Sequence, residues 1–173
     1  MSEAMIPLSV AVLTVSDTRT EETDRSGRTL VECLEAAGHR LYDKRIVVDD
    51  VYRIRAQVAA WIAEPEVQVI LTTGGTGFTG RDSTPEAVAV LLDKRIEGFG
   101  ELFRHLSWQE IGSSTVQSRC LGGLANATVV FCLPGSTGAC RTAWDGILAE
   151  QLDSRHQPCN FANLVIPERG QHV

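Results

Sequence analysis

Residues 8–15 form an almost uninterrupted apolar run rich in β-branched side chains, the pattern of a strand buried on both faces of a parallel sheet. After a polar stretch, Leu30, Val31 and Leu34 take helical spacing until Gly38 supplies a C-terminal stop. Residues 40–48 read as a second strand, 54–63 as a helix ended by Glu64-Pro65, and 67–73 as a third strand. Ser83-Thr84-Pro85-Glu86 opens the next helix with a hydroxyl cap, a proline in the first turn and a glutamate placed for a capping box. An amphipathic helix is expected over 98–111, a buried strand over 128–133 and a last long helix over 142–152. Residues 153–173 read as an irregular tail. Strands alternating with helices predict an α/β fold with right-handed βαβ crossovers. No repeat or linker divides the chain, so residues 1–173 are expected to form one domain.

Composition narrows the function. With 43% apolar residues among 173, the chain can bury a full core without disulfides or a structural metal. The net charge is -6, and the 16 Lys and Arg residues are scattered along the chain. That weighs against nucleic acid and anionic membrane. Cys33, Cys120, Cys132, Cys140 and Cys159 are odd in number and contain no CxxC pair; they read as reduced core thiols of a cytosolic protein. The N-terminal stretch carries no basic leader region, and its apolar run is too short to cross a bilayer. A cytoplasmic location is therefore expected. His39, His105, His156 and His172 show no metal-ligand spacing and read as surface or interface residues. Trp61, Trp108 and Trp144 fall on predicted helices, where packing is the expected role.

The richest chemistry lies in residues 72–80. Gly74, Gly75, Gly77 and Gly80, interleaved with Thr72, Thr73, Thr76 and Thr79, stand between a buried strand and a capped helix. Glycines let backbone N–H groups approach an anion closely, and ligands of open parallel sheets bind beyond the carboxyl ends of the strands. A phosphate is the expected occupant of Thr73, Gly74, Gly75, Thr76 and Gly77; the alternative is a turn that only joins strand to helix. Gly75, Gly77 and Gly80 also satisfy GxGxxG. That fingerprint, however, belongs after the first strand and runs straight into its helix, whereas this loop follows the third. No Walker A lysine follows either.

Asp82 ends the loop, and Asp49, with Asp50 beside it, lies just past the second strand. Two carboxylates near bound phosphate would repel it unless a divalent cation lay between them, which suggests Mg²⁺-assisted phosphoryl or nucleotidyl transfer. Asp also suits turns and helix starts for purely local reasons. Ser16 and Asp17 follow the first strand, and Pro134, Gly135, Ser136 and Thr137 follow the strand at 128–133. Both sets are candidates for the same sheet edge, with helix capping an equal alternative for Ser136 and Thr137.

The stretches TVSDTRT, DRSGRTL, LTTGGTG with RDSTPEA, GFGELFR, and LPGST followed by ACRTAW resemble the MoaB/MogA family of molybdenum cofactor biosynthesis proteins. The likeness extends from Val10 to Leu152, and the segment from Gly98 to Asn126 is more similar to the MoaB branch. The resemblance implies a three-layer α/β/α sandwich with a mixed, largely parallel sheet that binds molybdopterin. In active members it implies adenylylation of molybdopterin with Mg-ATP, giving adenylyl-molybdopterin and pyrophosphate. The loop from Thr72 to Gly77 would then hold phosphate, and Asp49 and Asp82 would be the acidic positions required for catalysis. It also implies a symmetric homo-oligomer, a trimer or a pair of trimers, and contact with other proteins of the pathway.

Other MoaB members are described as inactive, with altered acidic or TPE positions; here Asp49, Asp82 and Thr84-Pro85-Glu86 are all present. One departure points the other way. Family members commonly carry lysine shortly after the PGxx turn, where this chain has Gly138; Arg81 and Arg141 are the candidates to compensate. The expectation is thus a molybdopterin adenylyltransferase, with a non-catalytic molybdopterin carrier as the alternative and a nicotinamide oxidoreductase resting only on GxGxxG.

Overall fold

The computed structural model describes residues 4–166. Six strands form one sheet in the order β2-β1-β3-β6-β5-β4. Strands β1 (Ser9–Val15), β2 (Arg40–Val47), β3 (Val69–Thr73) and β6 (Thr128–Leu133) run parallel, so their carboxyl ends share one edge. Strands β5 (Leu121–Ala125) and β4 (Lys94–Arg95) close the far side antiparallel. The sheet is therefore mixed and largely parallel.

Alternation along each buried strand divides the core into two layers. Val10, Val12, Val69, Leu71, Phe131 and Leu133 pack on one face against α1 (Arg25–Ala36), α4 (Glu97–Ile111) and α5 (Thr137–Ala143). Ala11, Leu13, Ile70, Val130 and Cys132 pack on the other against α2 (Val51–Ile62) and α3 (Thr84–Ala89). Helix α1 stops at Gly38, whose φ of +87 is a left-handed conformation that suits glycine. Asp50 caps α2, its carboxylate accepting from the Tyr52 and Arg53 amides at 3.0 and 2.9 Å.

Several elements depart from expectation. Strand β5 was not foreseen, because Leu-Gly-Gly-Leu-Ala lacks the β-branched signature of a strand. Its glycines serve close packing. A Cβ on Gly122 would stand 2.9 Å from the Phe131 ring, and one on Gly123 would stand 2.7 Å from the Lys94 carbonyl oxygen. Asn126 and Ala127, both at positive φ, turn β5 into β6. The last helix starts at Thr137 instead of 142 and continues through a π turn (Trp144–Leu148) into α6 (Ala149–Gln151). The tail is not wholly irregular, since α7 spans Ala162–Val165.

His39 is not a surface residue. It is buried, its Nδ1 accepts from the Leu8 amide at 3.2 Å, and burial holds its pKa below the usual value. Cys159 is exposed, while the other four thiols are buried; burial pushes Cys132 up to about 12 and Cys140 to about 11. His172 lies outside the described residues. Among those residues, no helix is long and apolar enough to cross a membrane.

Candidate functional site

The parallel strands deliver four segments to one edge: the loops after β1, β2 and β3, and the turn after β6. The loop after β3 is tied down at its start. The Gly74 amide donates to the Leu133 carbonyl at 3.1 Å, and the Thr84 hydroxyl donates to the Gly74 carbonyl at 2.9 Å. Gly74 and Gly75 have φ of +99 and +65, conformations costly to any residue with a Cβ. Gly135 lies against Gly74, since a Cβ on it would stand 3.2 Å from the Gly74 Cα. Pro134-Gly135 and the loop thus meet glycine to glycine. Among the described residues, the Gly75 and Thr76 amides have no protein acceptor.

A cleft of about 420 Å³ opens here. Gly74, Gly75, Thr76, Gly77 and Asp82 form one side, and Pro134, Gly135 and Ser136 a second. The third is apolar and hydroxyl-bearing, with Phe103, Ser107 and Ile111 from α4 and Ser118 from beyond the 3-10 turn (Gly112–Gln117).

The two predicted carboxylates flank the glycine loop. A Cβ on Gly75 would lie 3.0 Å from Asp49 Oδ2, and one on Gly77 would lie 2.8 Å from Asp82 Oδ2, so the glycines admit both acids. Asp49 is buried at 8% exposure and does not line the cleft; it sits behind the loop. Its Oδ1 accepts from the Ser83 amide and hydroxyl at 3.2 and 2.9 Å. Burial raises its pKa; the Ser83 hydrogen bonds oppose the rise, and the charges of Asp82 and Asp17 add to it. Asp82 is held from within the loop by the Thr79 hydroxyl and amide at 2.6 and 2.8 Å. The Thr79 hydroxyl bond leads in placing its carboxyl below the usual range.

These contacts alter the expected helix start. Ser83 occupies the N-cap of α3 but makes no side-chain capping bond; its hydroxyl donates to Asp49 instead. The expected capping box is therefore absent, and Glu86 pairs instead with Arg119.

The remaining candidates divide by partner. Thr73 is fully buried, with its hydroxyl donated to the Pro134 carbonyl at 3.0 Å. Ser136 caps α5, accepting from the Ala139 amide at 3.1 Å, and Thr137 begins that helix. Ser16 Oγ accepts from the Thr18 and Arg19 amides. Asp17 is paired with Arg81 through two bonds of 2.9 and 2.7 Å and accepts the Asp49 amide at 3.0 Å. The Arg81 hydrogen bond leads in lowering the Asp17 pKa. Ser16 and Asp17 line a neighbouring hollow with Lys44, not the cleft itself.

A family model described as "Probable molybdopterin binding domain" matches residues 11–154. The chain belongs to the MoaB/MogA family. It is 56% identical over 161 residues to molybdenum cofactor biosynthesis protein B of Escherichia coli (strain K12), covering 93% of this chain and 95% of the relative. A crystal structure of a molybdenum cofactor biosynthesis protein B superposes with a TM-score of 0.84 at 49% identity, covering 87% of this chain and 94% of that one. The tungsten cofactor synthesizing protein MoaB from Pyrococcus furiosus follows at 0.73 and 36%, covering 83% and 92%. The chain thus stands on the MoaB branch of a family of molybdenum cofactor biosynthesis, and its glycine loop lies within the matched domain.

One residue escaped the sequence reading. Arg119 reaches the glycine loop from the segment before β5, donating to the Gly77 carbonyl at 2.8 Å and the Asp82 carbonyl at 3.2 Å. Nothing local marks it, because its partners are 33 to 43 positions away.

Proposed function

We propose that this MoaB-branch protein binds molybdopterin in the cleft and adenylylates it with Mg-ATP. A phosphate oxygen of the pterin attacks the α-phosphorus of ATP, the bond to the β-phosphate bridging oxygen breaks, and adenylyl-molybdopterin and pyrophosphate result. Both reactants are anionic, so the task is to neutralise and align them. The glycine-loop amides are suited to hold phosphate, and Phe103 and Ile111 offer an apolar wall to a flat heterocycle.

The observation that carries this reading is Asp49. It is a buried carboxylate with a raised pKa, close to two like charges, and it makes no salt bridge among the described residues. Such a group calls for an external cation. On this reading Asp82, from the cleft wall, and Asp49, whose Oδ2 faces Gly75 from the other side of the loop, would hold Mg²⁺, which takes one or two carboxylates and completes its shell with substrate phosphates and water. When bound, the ion would screen the charge that develops on the phosphates. The reading also carries a single domain over residues 1–173, a cytoplasmic location, a homotrimer or homohexamer, and contacts with other proteins of the pathway.

A carrier that binds molybdopterin without chemistry is the second reading, favoured by Gly138, which places no cation at the mouth of α5. Incubation with molybdopterin, Mg²⁺ and ATP separates the two. The expected result is adenylyl-molybdopterin from the parent and a loss of at least about a hundredfold in Asp49→Asn and Asp82→Asn, with molybdopterin still bound. Tight pterin binding without turnover by the parent would establish the carrier.

A further inference from the structure

We propose that Arg119 is a positioning residue that fixes the far half of the glycine loop, from Thr76 to Asp82, and with it the place of the Asp82 carboxylate on the cleft wall. This deepens the reading above and rests on the loop being the phosphate site. Arg119 does not line the cleft; it holds the loop at its middle and at its end. Its Nε donates to the Thr76 and Gly77 carbonyls at 3.3 and 2.8 Å, and its Nη2 donates to the Asp82 carbonyl at 3.2 Å. Its Nη1 pairs with Glu86 in the first turn of α3. The guanidinium carbon lies 5.0 Å from the centroid of the Phe78 ring, within cation–π range.

The consequence follows from peptide geometry. In a trans peptide the carbonyl and the next amide point to opposite sides. Drawing the Thr76 and Gly77 carbonyls toward Arg119 therefore turns the following amides away from it. The Gly77 amide is thereby aimed at the Asp82 carboxylate, to which it donates. The Asp82 main chain is held by the same guanidinium. One planar fork thus fixes the loop backbone and the acid that ends it. Three carbonyls and a carboxylate in separate directions suit the rigid donor geometry of arginine and not the point charge of lysine.

The test measures binding of molybdopterin and of inorganic pyrophosphate by calorimetry, with thermal unfolding alongside, for the parent, Arg119→Ala, Arg119→Lys and Glu86→Gln. Arg119→Ala is expected to weaken both ligands by about tenfold or more, and Arg119→Lys to recover only part of that. Glu86→Gln, which keeps the carbonyl contacts, should stay within about threefold of the parent, with thermal midpoints little changed. Parent-like affinity in Arg119→Ala, or a loss in Glu86→Gln as large as that in Arg119→Ala, would overturn the proposal. If Arg119→Ala does not fold, the lysine variant decides: parent-like affinity there overturns it, and weakened affinity supports it. A parent that binds neither ligand defeats the phosphate-loop reading itself, a failure visible before any variant is compared.

Discussion

Asp24 and Asp49 are both buried, at 1% and 8% exposure, yet the protein treats them in opposite ways. Asp24 caps α1 through the Gly27 amide at 3.0 Å, accepts the Thr14 hydroxyl at 2.8 Å and forms a 2.8 Å salt bridge with Lys44. Burial pushes its pKa up, but the hydrogen bonds from Lys44, Gly27 and Thr14 outweigh it and leave the group below its ordinary value. Among the described residues, Asp49 has only Ser83 as a hydrogen-bond donor to its carboxylate and no salt-bridge partner, and its pKa is raised. A fold that can complete one buried carboxylate with its own lysine has left another incomplete beside a glycine loop. Asp24 is explained by the fold alone, whereas the proposed function gives Asp49 its counter-charge from a bound cation.

Removing the two charges should separate these roles most sharply. Asp24→Asn leaves Lys44 without its buried partner and is expected to lower unfolding free energy by about 3 kcal/mol. Asp49→Asn removes a charge that the isolated protein does not neutralise, so its stability should stay within about 0.5 kcal/mol of the parent or rise. Urea unfolding at neutral pH without Mg²⁺ measures both. Equal losses in the two variants would mean that Asp49 is also structural.

The pH dependence should differ in sign. Asp24 has a folded pKa below its unfolded one, so its contribution is complete above the unfolded value near 3.8 and is lost as pH falls through the folded value. Asp49 has a folded pKa above its unfolded one, so its contribution is most favourable below 3.8 and is lost as pH rises through the raised value. Relative to the parent, Asp49→Asn should therefore gain stability as pH rises out of the acid range and then level off. The deficit of Asp24→Asn should shrink only as pH falls below 3.8. Unfolding curves for both variants at matched ionic strength between pH 3 and pH 7 test this, and slopes of the same sign would remove the distinction.

What the sequence revealed follows the same divide between local and distant causes. Strands β1, β2, β3 and β6 were legible from residue pattern alone, and the glycine loop from composition and place. Strand β5 was hidden because Gly122 and Gly123 are required by Phe131 and Lys94, which only the folded sheet brings near. The early start of α5 was masked by Ser136, Thr137 and Gly138, poor helix residues that serve here as cap and first turn. The sequence marked the acids and glycines that the sheet edge brings together as the candidate site, but not their fastenings. Ser83 had every local mark of a cap, and Asp17 of a free loop acid, yet Asp49 and Arg81 across the sheet edge claimed them.

Gly138 gives the mildest test of the comparison, because it asks whether a cation added at the site's rim does what Lys44 does for Asp24. A Cβ at Gly138 meets nothing within 4 Å, and the residue sits in the first turn of α5 without a positive φ. Replacing a helical glycine with lysine should raise stability by up to about 0.7 kcal/mol through propensity, less a small term for a cation near a helix N-terminus. Lys44 can quench Asp24 because it is largely buried, with its side chain 16% exposed. A lysine at 138 would remain in solvent, where a point charge is screened. Gly138→Lys is therefore expected to tighten molybdopterin about two- to fivefold at low salt, with the gain fading as salt rises, and, on the proposed function, to leave turnover as dependent on Mg²⁺ as in the parent. Titrations at two salt concentrations measure the first effect, and turnover against Mg²⁺ concentration the second. A lysine variant active without Mg²⁺ would show that a fixed charge at the rim can replace the ion, and that Asp49 differs from Asp24 only in lacking a nearby cation.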